Sequence, residues 1–346
     1  YAKFNYVKNE AACCEIIYDF IKELGEPSYR AKQLFSNFAA GKNLDGMTDI
    51  GKNLKEKLRP YAFSSVEVSE KLCDSDGTVK YLFRLSDGNY IETVLMRYKH
   101  GNSVCISSQV GCRMGCKFCA STLKGKVRDL TAGEMLMQVA FVNKNDKVSN
   151  IVIMGVGEPL DNFDNLVRFL ENVNNPAGMN IGQRHISVST CGLVDKIKEL
   201  AEKDFQITLS VSLHAPNDAI RDRIMPVNHK YKVAELISAC RYYISLTGRR
   251  ISFEYTLIKG VNDSPACADE LAALLHGMLC HVNLIPVNYV SERGLLPSDR
   301  HTVDAFCKRL CAKNINTTVR RTLGGEINAS CGQLRHKKEE EKGNGL

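Results

Sequence analysis

Three cysteines share one short run, Gly111-Cys112-Arg113-Met114-Gly115-Cys116-Lys117-Phe118-Cys119, in a CxxxCxxC spacing. Iron-sulfur clusters are held by cysteine thiolates, normally four, so three in one tight loop leave one iron without a protein ligand. An open metal position is a place for a substrate or cofactor to bind. The same residues would also serve as a zinc site with a distant fourth ligand, or as small hydrophobes packed inside the fold. Other chemically capable residues are scattered: a carboxylate in Gly157-Glu158-Pro159, a histidine in Ser212-Leu213-His214, and a cysteine in Ser330-Cys331-Gly332. Each has an ordinary reading as well, as a strand-to-helix turn, a strand end and a glycine-flanked tail. Cys105 reads as a buried strand residue, and Glu92 as a solvated strand carboxylate. Cys13, Cys14, Cys73, Cys191, Cys240, Cys267, Cys280, Cys307 and Cys311 lack metal spacing; Cys307 and Cys311, four apart on a helix face, are expected in the core.

The elements that must position these residues begin near residue 104, where apolar strands alternate with amphipathic helices, the pattern of parallel βα units. Six units are read, with strands near 104–108, 149–154, 185–190, 207–213, 251–257 and 281–287, and a last strand near 317–321. The cysteine loop follows the first strand and Gly157-Glu158-Pro159 the second. Ser189 closes the third, Ser212-Leu213-His214 the fourth, and Asn288 follows the sixth. Parallel strands in a barrel open all their C-terminal ends on one face, where active sites lie. Six units give an incomplete barrel, although a doubly wound sheet would obey the same strand-end rule. Thr131 and Glu134 form a capping box for the helix after the first unit.

Residues 1–60 carry apolar positions at helical spacing and read as a small helical accessory unit, with an RNA-binding role expected of it. Residues 61–100 read as a small β connector, with Asp76-Gly77 and Asp87-Gly88 as hairpin turns. Residues 101–334 hold the α/β unit, and the charged tail 335–346 is expected to be disordered.

Composition narrows the class. Fourteen cysteines among 346 residues argue for metal binding or catalysis, since a reducing cytosol would not sustain a disulfide framework. No apolar run approaches the roughly 18 residues of a membrane span, and YAKFNYVKNE lacks the order of a secretory signal. The expectation is a cytoplasmic protein with no membrane partner, monomeric by default. The net charge of +7 is compatible with a polyanion. Arg113, Lys117, Lys124, Lys126 and Arg128, with no acid among residues 113–128, are expected to make the mouth of the site positive, with Arg320 and Arg321 joining them.

The cysteine loop, with GVGEP and SLH at later strand ends, resembles the radical S-adenosylmethionine (SAM) superfamily. Within it, Cys105-Ile106-Ser107-Ser108-Gln109-Val110-Gly111-Cys112, Ser212-Leu213-His214-Ala215-Pro216-Asn217-Asp218 and Ala329-Ser330-Cys331-Gly332-Gln333-Leu334 resemble the dual-specificity ribosomal and transfer RNA adenine carbon-2 methyltransferases. The likeness spans nearly the whole chain. It implies an α/β fold, a partial (βα)6 barrel, and one 4Fe-4S cluster on Cys112, Cys116 and Cys119. SAM would bind through Gly157, Glu158, Ser189, Ser212, Leu213, His214 and Asn288. Two SAM molecules would be used per turnover, one methylating Cys331 and one giving a radical that activates the S-methyl group. Cys105 would form a transient disulfide with Cys331, and Glu92 would accept the ring proton. The implied partners are 23S ribosomal RNA, transfer RNA and an electron donor such as flavodoxin or ferredoxin. A related carbon-8 methyltransferase of the same ribosomal adenine shares Cys331, Cys105 and the cluster, while Val110-Gly111-Cys112 and Ala120-Ser121-Thr122 look like the carbon-2 family.

Overall fold

The computed structural model describes residues 14–59, 66–287, 294–320 and 334. Cys13, Asn288, Arg321, Cys331 and the tail 335–346 lie outside the described residues.

Three strands, β1 (Glu67–Cys73), β2 (Val79–Arg84) and β3 (Tyr90–Tyr98), form an antiparallel meander closed by the two Asp-Gly turns. Gly77 and Gly88 take φ of +83° and +81° there, a region a side chain disfavours. The meander does not stand apart as a connector. β3 pairs antiparallel with β4 (Gly101–Cys105), so the meander extends the main sheet. A hairpin of β5 (Gln109–Gly111) and β6 (Lys126–Asp129) follows, with the cysteine loop between its strands.

From there strands and helices alternate: α4 (Ala132–Asn143), β7 (Val148–Ile153), α5 (Phe163–Val173), β8 (Ile186–Thr190), α6 (Val194–Ala201), β9 (Thr208–Ser212), α7 (Asp218–Ile224) and α8 (Val233–Thr247). Then come β10 (Ile251–Leu257), α9 (Pro265–Leu275), β11 (Cys280–Pro286), α10 (Arg300–Ala312) and β12 (Thr317–Val319). The sheet is open, in the order β1-β2-β3-β4-β7-β8-β9-β10-β11-β12, and parallel from β4 to β12. The expected capping box starts α4: Thr131 Oγ1 accepts from the Glu134 amide, and the Glu134 carboxylate from the Thr131 amide.

Strand alternation sorts the two faces. Ile186 and Val188 are buried against the helices while Ser187 and Ser189, on the opposite, inner face, are half-buried. The apolar face joins Val104, Ile151, Val188, Val211, Phe253 and Val282 to residues of the crossover helices in one core. That leaves the inner face of the parallel strands, at their C-terminal ends, free to carry polar chemistry.

The N-terminal unit, α1 (Cys14–Glu23), α2 (Tyr29–Ala39) and α3 (Lys52–Leu58), has a core of its own around Phe20, Ile21, Leu34, Phe35, Ile50 and Leu54. Gly25, at φ +71°, ends α1 in a Schellman turn, with the Glu26 amide donating to the Ile21 carbonyl. The unit docks by α2 on α4, and a Cβ built on Gly178 would lie 2.7 Å from the Phe35 ring.

Candidate active site

The cysteine loop is pinned from three sides. The Cys112 amide donates to the Gly125 carbonyl and Thr122 Oγ1 donates to the carbonyls of Cys116 and Cys119, closing the loop on itself. The Lys117 amide donates to the Ile224 carbonyl at the end of α7 at 2.9 Å. Phe118 sets its ring edge-on to His214, centroids 4.7 Å apart. The loop is thereby held over the ends of β7, β8 and β9.

Cys112 and Cys116 are buried and Cys119 is half-buried. Burial pushes the Cys112 thiol up to about 12, helped by the charges of Cys119 and Glu158. Cys116 is pushed well up for the same reason. Such thiols ionise only when metal supplies positive charge. Among the described residues no three His, Cys, Asp or Glu side chains converge on one ion; a cluster, by contrast, takes each thiolate on a separate iron. The donor set fits a site-differentiated iron-sulfur cluster.

The turn after β7 is laced to the hairpin. The amides of Ser108 and Gln109 donate to the Val156 carbonyl, and the Glu158 amide donates to Gln109 Oε1 at 2.8 Å. Gly157, at φ +114°, has no room for a side chain: a Cβ would lie 2.6 to 2.7 Å from Gln109 and Ser108. The glycine is thus demanded by strand packing inside the protein. Glu158 is buried, and burial raises its carboxyl. Its two oxygens already accept the amides of Leu160, at 3.1 Å, and Cys191, at 2.7 Å. The Thr190 hydroxyl and the Cys191 thiol hydrogen-bond the same carboxylate, so a ligand amine must share it with these donors.

Ser189 and Ser212 stand half-buried at the ends of β8 and β9. Leu213 puts its side chain in the core, its amide on the Glu254 carbonyl and its carbonyl on Arg221 Nε. His214, at φ +55°, is buried. Its Nδ1 accepts the Thr256 amide at 2.9 Å, which leaves its proton on Nε2. Burial holds it neutral, with a pKa lowered to about 3.

Glu92 and Cys105 share the inner face, because Val94, two residues from Glu92, is the register partner of Cys105. Cys105 packs among Val94, Met96, Val152 and Met154. The solvated reading of Glu92 is wrong: it is buried, with Oε2 3.1 Å from Lys80 Nζ, both side chains 1% exposed or less. Lys80 sits in the same register rung as Val94 on β2.

Sequence reasoning missed Lys80, Gln109, Asp161 and Arg221, whose bonds to Glu92, Asp161, Gln109 and the Cys191 carbonyl join segments 12 to 52 residues apart. It also overstated the basic mouth. Arg113 pairs with Asp161, Lys126 with Asp129 and Asp161, and Arg128 with Asp87 and Glu134. Lys117 and Arg320 are exposed, and Arg320 instead reaches Glu254 electrostatically. Cys307, half-buried, packs against the core as expected, whereas Cys311 is exposed and does not.

Comparison with known proteins agrees with this geometry. Residues 106–275 match the radical SAM superfamily, and residues 14–63 match the N-terminal domain of ribosomal RNA large subunit methyltransferases. A Lachnospira eligens protein named "Probable dual-specificity RNA methyltransferase RlmN" is 52% identical over 331 residues, 92% of this chain and 93% of its own. A Clostridium perfringens protein of the same name is 52% identical over 335 residues, covering 95% and 96%. The crystal structure of a radical SAM methyltransferase from Sphaerobacter thermophilus superposes with a TM-score of 0.89 at 43% identity, covering 92% of this chain and 96% of that one. With residues 106–275 and 14–63 matched and relatives 52% identical over most of the chain, the chain belongs to the RlmN-type dual-specificity RNA methyltransferases of the radical SAM superfamily.

Proposed function

We propose that this protein methylates carbon 2 of an adenosine in 23S ribosomal RNA and in the anticodon loop of transfer RNA, carrying the methyl group on Cys331. Carbon 2 lies between two ring nitrogens and is electron-poor, so it is a poor nucleophile toward the methyl group of SAM. When bound, the cluster and SAM supply the one-electron chemistry that such a carbon demands. Cys112, Cys116 and Cys119 would hold the cluster, and Gly157, Glu158, Ser189, Ser212, Leu213, His214 and Asn288 would hold SAM.

The chain's own residues do the rest. The Cys331 thiolate takes a methyl group from one SAM; a second SAM is spent in activating it. Once the activated carbon has bonded to the base, Glu92 takes the proton that leaves carbon 2. One electron leaves the adduct for the external redox partner, and the Cys105 thiolate then attacks the Cys331 sulfur, forming an S–S bond as the C–S bond breaks and the released methylene takes a proton to become the methyl group. An external reductant, a flavodoxin or ferredoxin, reduces that disulfide and supplies the cluster's electron.

The observation that carries this reading is the placement of Cys105 and Glu92 on one inner face, Glu92 two residues along β3 from Val94, the register partner of Cys105, on the strands that lead into the cysteine-bearing hairpin. A proton acceptor and a resolving thiol are needed together only in such a release step. The target base must be unpaired or flipped to reach a site at this depth.

The test is anaerobic incubation of cluster-loaded protein with SAM, a reductant and a ribosomal RNA fragment or transfer RNA, followed by mass spectrometry of the nucleosides. 2-Methyladenosine that disappears with Cys331→Ala is expected. 8-Methyladenosine would move the chain to the carbon-8 chemistry, and a loaded, SAM-cleaving enzyme that methylates neither base would overturn the proposal.

A further inference from the structure

Arg221, on α7, is a guanidinium that forms no direct ion pair among the described residues, Asp218 acting on it through space. It is 0% exposed. Its hydrogen bonds all go to neutral acceptors: Nε to the Leu213 carbonyl at 3.1 Å, Nη2 to the carbonyls of Cys191 at 2.6 Å and Ser212 at 3.2 Å, and Nη1 to Asn228 Oδ1 at 3.0 Å. Asp218 and Asp222 reach it through Asn228, whose Nδ2 donates to both, at 2.9 and 2.7 Å. Buried charges are normally paired, because desolvating a lone ion is costly.

A charge placed so deliberately asks for its opposite. The Cys191 carbonyl that Nη2 holds belongs to a residue packed with Cys116, Ala215, Ile224 and Met225. Ile224, on the same short helix as Arg221, accepts the Lys117 amide from the cysteine loop. Arg221 therefore stands one layer behind Cys116, on the side of the loop away from solvent. A four-iron cluster on three thiolates is net negative when oxidised and more so when reduced, and its potential follows net charge, hydrogen bonding and burial.

We propose that Arg221 is the buried countercharge that sets the reduction potential of the cluster, favouring the reduced form. Reduction brings one electron from the external donor to the cluster; the guanidinium keeps its protons throughout and stabilises the added charge across low-dielectric protein. This rests on the cluster assignment and is independent of which RNA atom is methylated. A purely structural clamp, tying together the ends of β8 and β9 through their carbonyls, is the competing role.

The test uses full-length protein, anaerobically reconstituted, as wild type, Arg221→Gln and Arg221→Lys. Iron and sulfide per chain and the melting temperature are measured first. The midpoint potential then follows from a dithionite titration read by electron paramagnetic resonance of the reduced cluster. Arg221→Gln should lower the reduced-to-oxidised ratio at the wild-type midpoint about tenfold, equivalent to about 59 mV for a one-electron couple. Arg221→Lys, which keeps the charge and loses the planar fork, should stay within about threefold of wild type. A fully loaded Gln variant at the wild-type potential overturns the proposal, as does a Lys variant shifted tenfold. If the Gln variant loads no cluster, the Lys variant decides alone on the same criterion. A wild type that binds no iron-sulfur cluster would instead sink the cofactor assignment, and the two failures are distinct.

Discussion

At the scale of single residues, His214 shows how burial fixes chemistry. Its Nδ1 takes a backbone amide and its backbone sits at φ +55°, so the side chain is neither a proton shuttle near neutral pH nor free to turn. The unfolded chain binds a proton near the ordinary value of 6.5, whereas the folded site does so only near 3. Stability contributed by the neutral form is present above the unfolded pKa and lost as pH falls below it, because the unfolded state then holds more protons. From roughly pH 7.5 to 5.5 the wild type should lose about 1.4 kcal/mol from this group. His214→Asn, which tolerates the left-handed backbone, should lack that component. Urea unfolding of both proteins across the range checks it: equal slopes would mean that His214 titrates normally in the folded state. The residue-scale chemistry was legible where it lay in one short run. CxxxCxxC and Gly157-Glu158 are local, and the glycine's role is a clash with residues 108–109. Lys80 and Arg221 were not legible, since nothing in VKYLF or RDRIMP says that the cation will be buried against atoms supplied by distant segments.

At the scale of elements, register explains both the successes and the misses. Period-two alternation and strand-end motifs locate β7 to β12 to within a residue or two, whereas the first strand, read near 104–108, runs three residues earlier as Gly101–Cys105. What the alternation did not show is that β1 to β3 continue the same sheet: β3 joins β4 by a tight turn at Lys99 and His100, with Tyr98 opposite Gly101, and that turn carries no Asp-Gly or Asn-Gly signal. Nor could a linear charge run show that Asp87, Asp129, Glu134 and Asp161 converge on the hairpin and neutralise Arg113, Lys126 and Arg128. The β2–β3 pair carries the sharpest consequence. Lys80 and Glu92 are buried together, so removing either partner leaves a desolvated charge, at a cost of about 3–5 kcal/mol. Lys80→Met and Glu92→Gln should each destabilise by that amount, while the double variant should recover much of the loss. A double-mutant cycle by chemical denaturation measures it, and additive single effects would show that the ion pair carries no coupling. The result matters for function, because a dead Glu92→Gln enzyme is evidence for proton transfer only if the double variant, folded and cluster-loaded, is dead as well.

At the scale of the whole molecule, the question is whether the N-terminal unit and the barrel form one cooperative body. Their cores are separate, and among the described residues they meet where Phe35, Phe38 and Ala39 face Leu136, Met137 and Ala140, with Asn172 and Met179 alongside. The described unit spans residues 14–59, a length at which a core this small is marginal alone. Some of its basic side chains are committed locally, Lys57 to Glu26, Arg59 to Asp45 and Glu56, Arg30 to Gln33 and the Asp49 carbonyl, while Lys22, Lys32, Lys42 and Lys52 are exposed. Gly178→Val tests the docking directly. Its new side chain would meet the Phe35 ring at well under contact distance, an overpacking cost of about 1–3 kcal/mol. Calorimetry should then resolve an early transition for the helical unit ahead of the main one, with the brown cluster chromophore persisting through the first. RNA affinity should fall with the early transition while SAM cleavage survives. A single transition, lowered as a whole, would mean instead that the barrel draws part of its own stability from the helices it carries.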